Sequence, residues 1–235
     1  YYEVVKRIEE HFEDEKDVLI QNLQNLAKKL FRSDNMMVSY TAERVGLEGM
    51  EELIRTCKQA LFTEEVSTVP CVIHCEKKNE GFKTSSKVQY VARTGNFIDA
   101  GFDYTGAFQI LRVIMGYEYL WQNVRVKGGA YGCMSGFSKN GDSYFVSYRD
   151  PNLVKTLDVY SKAVDYLKNF TGDERTMTQY LIGAISDLDA PLTPQSKGLR
   201  SLSAYMTKQT VEDFQKERYE LLAADVDTIR GLAKY

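Results

Sequence analysis

The stretch Val124-Arg125-Val126-Lys127-Gly128-Gly129-Ala130-Tyr131-Gly132 sets a guanidinium and a phenol six residues apart around a Gly-Gly pair. Glycine tolerates left-handed backbone and lets another chain approach closely. A little downstream, Asn140-Gly141 is a strong hairpin-turn dipeptide. With it, Lys127 to Ser138 and Ser143 to Arg149 are predicted to pair as a β-hairpin. Upstream, Tyr104 to Trp121 is apolar on most sides and predicts a helix lying largely in the core. The quoted stretch therefore joins a core helix to a hairpin and carries two polar side chains at the junction.

Working outward toward the N-terminus, Ile8, Phe12, Leu19, Leu23, Leu26 and Leu30 recur at helical steps, which predicts one amphipathic helix over the first thirty residues. Met36 to Thr41 reads as a short strand, Leu47 to Leu61 as a helix, Pro70 to Cys75 as a strand or extended linker, and Val88 to Ala92 as a strand. Toward the C-terminus, Asp150 is placed to cap a helix beginning at Pro151, with Leu153, Leu157, Tyr160, Val164 and Leu167 as its buried stripe. Thr171 to Glu174 has capping-box spacing ahead of a further helix. Pro191 and Pro194 interrupt the chain, Gln195 to Met206 resumes as helix, Thr210 caps another through about Ala223, and a last turn starts near Asp225. Strands near the front and middle, with helices between and after them, predict an α+β layer of antiparallel sheet and helices.

Composition narrows the function classes. The 235 residues suffice for one large or two small domains, and 43% hydrophobic with 27% charged residues is ordinary for a globular protein. A net charge of -3 argues against a nucleic-acid surface, which needs a basic excess. No run of about eighteen apolar residues occurs, so no membrane span is expected. The chain opens on Tyr1-Tyr2 without Met, as if cut from a longer protein. Its four cysteines, Cys57, Cys71, Cys75 and Cys133, are too few for a disulfide scaffold. Cys71-Val72-Ile73-His74-Cys75 has no second Cys/His pair to complete a tetrahedral metal site, so small strand residues are the better reading.

Two further blocks flank the opening stretch. Glu118-Tyr119-Leu120-Trp121 precedes it, and Tyr144-Phe145-Val146-Ser147-Tyr148-Arg149-Asp150-Pro151 follows; later comes Ser186-Asp187-Leu188-Asp189-Ala190-Pro191-Leu192-Thr193-Pro194-Gln195-Ser196-Lys197-Gly198. In this order they closely resemble the C-terminal half of the pitrilysin/insulinase-type zinc metallopeptidases, in the presequence-protease branch. The likeness covers most of 87–223. It implies the same α+β fold, an antiparallel β-sheet with helices packed on one face over 33–235 preceded by a linking helix over 1–32, and a role in degrading unfolded peptides. It also implies zinc as cofactor, bound by an N-terminal half that would be this chain's partner. The family's inverted motif His-x-x-Glu-His supplies two ligands and a general base. Here only His11 and His74 occur, and His11-Phe12-Glu13-Asp14-Glu15 lacks the second histidine. This chain is therefore expected to bind no metal and to be inactive alone.

The resemblance assigns catalytic roles to Arg125 and Tyr131. Peptide hydrolysis passes through a tetrahedral oxyanion, and fixed charge or donors aimed at that oxygen accelerate it. A guanidinium fork suits carbonyl and carboxylate oxygens, and a phenol is a donor at neutral pH. Lys127, Gly128, Gly129 and Gly132 are the candidate substrate-binding positions: the glycines withhold side chains that would keep a peptide away, and Lys127 could meet its oxygens. The bland alternative pairs Arg125 with an acid and half-buries Tyr131 in a strand. The glycine stretch lacks Walker spacing and a following Lys-Ser/Thr, so it predicts no nucleotide site. Lys197-Gly198 fits a substrate or partner contact and a plain helix start equally well. A non-catalytic structural or substrate-guiding subunit of the same fold is the competing function. The expected compartment is the bacterial cytoplasm, with the mitochondrial matrix or another organelle as the alternative.

Overall fold

Asn140-Gly141 does turn the chain. Gly141 has φ 90°, its N–H donates to the Ser138 carbonyl at 2.9 Å, and the Ser138 N–H donates to Asp142 O at 2.8 Å. The hairpin so closed is part of a three-stranded antiparallel sheet. Its strands are β1 (Gln89–Asn96), β2 (Gly132–Phe137) and β3 (Asp142–Asp150), in the order β1-β3-β2. The structure, a computed structural model, describes residues 1–64 and 78–235.

The helices are α1 (Tyr2–Glu10), α2 (Phe12–Leu30), α3 (Met50–Gln59), α4 (Ala107–Ile114), α5 (Val154–Lys168), α6 (Glu174–Leu188), α7 (Pro194–Thr207), α8 (Val211–Leu222) and α9 (Val226–Gly231). The chain forms two compact units, 1–79 with 192–203, and 80–191 with 204–235.

In the second unit the sheet buries one face. Cys133 lies opposite Ser147, Ser135 opposite Phe145 and Phe137 opposite Ser143. Across the other ladder Val91 faces Ser147. On this side Phe137 stacks on Phe108 of α4 at 5.1 Å between ring centroids, and Phe145 meets Tyr160 of α5 at 5.6 Å. The other side of the sheet shows Tyr90, Met134 and Tyr144 to solvent. The expected α+β architecture, with helices on one face of an antiparallel sheet, is the one found. α4 dominates the core: Phe108, Ile110, Leu111 and Ile114 are all at most 2% exposed, and burying each contributes about 2 kcal/mol.

Several local expectations are corrected. The first thirty residues form two helices, because His11 leaves helical geometry at φ -123°, ψ 26°. Met36 to Thr41 is extended but pairs with no strand among the described residues. Its Thr41 instead packs so tightly on Gly198 of α7 that a Cβ there would come within 1.9 Å of the Thr41 hydroxyl. That contact accounts for the glycine of Lys197-Gly198, while Lys197 is exposed. The expected strand over Pro70 to Cys75 lies outside the described residues. The strand of the hairpin begins at Gly132 rather than Lys127, since 127–131 are still leaving the preceding helix. The Thr171–Glu174 box does not form; Asp173 caps α6 by accepting from the Thr176 N–H at 2.8 Å. Thr210 and Asp225 cap α8 and α9 as read from the sequence, Thr210 with a complete capping box.

One buried charge ties α8 to the sheet turn. Glu217, 5% exposed, accepts from Tyr104 Oη at 2.7 Å, Gln109 Nε2 at 3.0 Å and Lys139 Nζ at 2.6 Å. Burial alone would raise its carboxyl, but the bonds from Lys139, Tyr104 and Gln109 outweigh that and hold it below the usual range. Burial and the Glu217 carboxylate push the Tyr104 phenol well above its ordinary value. A depressed folded-state carboxyl contributes stability that is present above the unfolded value, about pH 4.3, and is lost as pH falls through the folded one. Lys139→Met strands the carboxylate and is expected to cost about 2 kcal/mol at pH 7. It should also flatten the acid limb of the stability profile. Urea unfolding at pH 7 and pH 3 reads both effects, and an unchanged midpoint at pH 7 contradicts the assignment.

Candidate functional site

Arg125 and Tyr131 owe their positions to an unusual helix end. After Ile114 the helix continues as two π-helical segments, Met115–Tyr119 and Trp121–Val126, running past the expected end at Trp121. The wider turn is visible in the Lys127 N–H donating five residues back to Gln122 O at 3.0 Å. Asn123 Nδ2 meets the Tyr119 carbonyl at 2.8 Å. Such segments concentrate at functional sites because they re-aim side chains. Arg125 lies over Trp121, four residues back, with its guanidinium carbon 3.9 Å from the ring centroid.

The Gly-Gly turn then swings the chain into β2. Gly129 N–H donates to Arg125 O at 2.8 Å and Ala130 N–H to Val124 O at 3.2 Å, capping the last carbonyls of the helix. Gly129 has φ 80° and open space around its Cα apart from Pro151. Gly128 is crowded: a Cβ would stand 2.3 Å from the Val124 carbonyl oxygen. At Gly132 a Cβ would stand 2.3 Å from the ring of Tyr148, its cross-strand partner. The space left by Gly128 and Gly132 is thus occupied within the chain, and only Gly129 leaves room open. Lys127 is exposed beside them.

Tyr131 ends the turn and is 61% exposed. Its ring meets Tyr148 edge-on at 5.5 Å and the Arg149 guanidinium at 5.4 Å. Neither Arg125 nor Arg149 makes an ion pair with an acid among the described residues. The bland alternative, an acid-paired arginine and a half-buried tyrosine, is not what the fold contains. Two guanidiniums and a phenol stand at one end of the sheet, with Trp121 and Tyr148 as aromatic supports. Beneath them Cys133 points inward. Burial raises its thiol, the Arg125 charge offsets this in part, and Asp150 adds to the rise. It is poorly suited to act as a nucleophile at neutral pH.

Asp150 is the site residue whose role the sequence misassigned. It caps no helix: α5 begins at Val154, and Asp150 is wholly buried at the end of β3. Its Oδ2 accepts from Ser147 Oγ at 2.6 Å and Thr156 Oγ1 at 2.7 Å, and its Oδ1 from the Asn152 N–H at 2.8 Å. Asn152 Nδ2 in turn donates to Gly128 O at 2.5 Å, tying this loop to the Gly-Gly turn. Strand alternation would send Ser147 and Asp150 to opposite faces. A bulge between Gln89 and Val91 on the facing ladder breaks the alternation, so three steps of β3 match two of β1. Arg149 absorbs the extra residue at φ 48°, a left-handed conformation that costs a side-chain-bearing residue about 1–2 kcal/mol. The signal available in sequence was Ser147-x-x-Asp150-Pro151-Asn152, a spacing with no strand or helix period.

No group of three His, Cys, Asp or Glu among the described residues is placed to hold a metal ion. His11 is exposed at the break between α1 and α2 and belongs to no such group.

Solved structures with this arrangement are peptidase-fold domains. A protease from Helicobacter pylori, 15% identical, aligns with a TM-score of 0.54 over 78% of this chain and 48% of its own. The inactive peptidase domain of a Bordetella parapertussis protein, 14% identical, gives 0.52 over 65% and 86%. The second unit, with its one-faced sheet, is thus of the peptidase-fold class. Residues 79–234 match the PreP C-terminal domain, and the chain belongs to that family. Protein HypA of Clostridium perfringens (strain 13 / Type A) is 40% identical over 233 residues, 99% of this chain and 24% of its own length. Presequence protease 1, chloroplastic/mitochondrial, of Arabidopsis thaliana is 30% identical over 237 residues, 100% and 22% respectively. The chain spans about a quarter of the length of these curated relatives.

The glycine geometry makes an ordered prediction. Gly129→Ala should lose about 1 kcal/mol from its left-handed backbone. Gly128→Ala should lose roughly 2 kcal/mol or more, since no rotamer relieves a Cβ against a backbone oxygen. Melting temperatures should fall in that order, and the reverse order would contradict the packing described.

Proposed function

We propose that this chain is the substrate-facing C-terminal half of a zinc-dependent metalloendopeptidase that degrades unfolded peptides. Zinc and the general base belong, on this reading, to an N-terminal half of the complete protein, which is this chain's partner. The observation that carries the reading is the pair of unneutralised donors at one sheet end. Arg125 is held on Trp121 without an acid partner among the described residues, and Tyr131 is solvent-facing. Family membership adds support, the relatives named presequence protease being peptidases by name.

Within this half the chemistry is electrostatic. The Arg125 guanidinium takes the substrate carbonyl or a neighbouring backbone oxygen, and the Tyr131 O–H donates to the oxygen that becomes anionic as the tetrahedral intermediate forms. Both donors are placed before reaction, so little reorganisation opposes them at the transition state. Closure of the partner half would exclude water and strengthen both contacts. Lys127 and the open space at Gly129 sit where an extended peptide would pass, and Gly128 and Gly132 shape the turn that holds that space. The apolar residues of α1 and α2, among them Phe12, Leu23, Leu26 and Leu30, are exposed, as expected of a segment that meets another part of a longer protein.

No helix among the described residues is long and apolar enough to cross a membrane. The net charge of -3 offers no basic surface for nucleic acid. Identity to a clostridial protein supports a bacterial cytoplasmic setting, with an organelle as the alternative in view of the plant relative.

The test is zinc content and peptide cleavage by the complete gene product. Arg125→Ala and Tyr131→Phe are each expected to lower kcat/KM roughly 10²-fold, the usual loss for one oxyanion donor. Wild-type kinetics in both variants would remove these roles. A folded complete protein with neither zinc nor cleavage would favour a structural or substrate-guiding subunit instead.

A further inference from the structure

We propose that Arg149 is a positioning residue for Tyr131, and that the bulge at the end of β3 exists to deliver it. This inference rests on the peptidase reading of Tyr131 and extends it to a residue that reading did not include.

Tyr131 is a poor candidate for a preorganised donor on its own. At 61% exposure, most of its ring is free of protein contact, and a freely rotating phenol spreads its O–H over many directions. Two contacts restrain it: the edge-on ring of Tyr148 at 5.5 Å and the Arg149 guanidinium at 5.4 Å. The second lies within the range where a cation is attracted to an aromatic ring. Tyr148 is itself fixed, because its ring covers Gly132 so closely that a Cβ there would overlap it. Arg149 forms the other restraint.

The backbone explains how Arg149 comes to be there. In regular alternation from Ser147, residue 149 would face the helices and residue 150 would face solvent. The buried bonds of Asp150 to Ser147, Thr156 and Asn152 demand the opposite. The bulge satisfies them by placing Arg149 at φ 48°, which turns its side chain out toward Tyr131. A glycine would take this conformation without strain. Strained residues cluster where geometry serves a site, and the strain here is borne by a long cationic side chain, without an acid partner among the described residues, that touches a candidate catalytic ring.

The test is a double-mutant cycle in the complete protein. Arg149→Gly removes the guanidinium while relieving the backbone, so folding is protected. Its melting temperature should hold or rise, while kcat falls about 10-fold with KM nearly unchanged. Because Arg149 acts through Tyr131, Arg149→Gly with Tyr131→Phe should be no slower than Tyr131→Phe alone. A second readout needs no activity: 3-fluorotyrosine at position 131 should give a ¹⁹F signal that moves toward the free amino acid and sharpens in Arg149→Gly. Where Tyr131→Phe is impaired, an unchanged kcat in Arg149→Gly or losses that multiply in the double variant would overturn the proposal, and an unmoved ¹⁹F signal would overturn it in any case. Wild-type kinetics in Tyr131→Phe, together with a released ring in Arg149→Gly, would instead overturn the peptidase role of Tyr131 and leave the restraint standing.

Discussion

The buried carboxylate of Asp150 is the point on which the site's geometry depends. A charge without solvent is tolerated only where hydrogen bonds satisfy it, and here three donors do so: the Ser147 and Thr156 hydroxyls and the Asn152 N–H. Each donor belongs to a different local structure: β3, α5 and the loop between them. Holding all three fixes where β3 ends and where α5 starts. Asn152 then reaches the Gly128 carbonyl, so the same node sets the Gly-Gly turn that precedes Tyr131. A single carboxylate thereby links both ends of the segment that carries the candidate donors.

Two constraints converge on that segment from the other side. In the π-helical run over Trp121–Val126 Arg125 lies over Trp121, and the helix then ends against a residue that can have no Cβ. The chain emerges with Tyr131 at the sheet's end, beside a strand pair in which Gly132 is roofed by Tyr148. The glycines of this stretch therefore differ in kind. Gly129 is required for its backbone angle, Gly128 and Gly132 for the atoms that occupy their side-chain space.

Much of this was legible in the sequence, and the failures have a common cause. The core helix, the Asn140-Gly141 hairpin, the Thr210 cap and the last helical turn near Asp225 follow from periodicity or turn chemistry, which act over a few residues, whereas the one-faced sheet was expected through resemblance. Arg125 and Tyr131 could be singled out only through resemblance, because a lone arginine and tyrosine carry no spacing signal. The errors fall where tertiary contacts override local preference. Asp150 before Pro151 has the look of a helix cap, but partners on Ser147 and Thr156 claim its oxygens. Met36 to Thr41 has strand-like residues without a strand beside it. Arg149 was invisible as a site residue, since a bulge is defined by the facing strand and leaves no local mark in the sequence.

The electrostatic arrangement also explains why stacking, rather than ion pairing, supports both guanidiniums. A carboxylate beside Arg125 would fix its position but neutralise the charge that a substrate oxygen must feel. An aromatic face restrains the planar group while leaving its N–H donors unsatisfied at the edges. Trp121 does this for Arg125, and the relation is reversed at Tyr131, where a guanidinium restrains the ring. The nearest buried acid, Asp150, is fully committed to neutral donors below the sheet. Its charge organises the backbone without forming an ion pair with either arginine. The carboxylate that organises the backbone is thus separate from the two guanidiniums supported by aromatic rings.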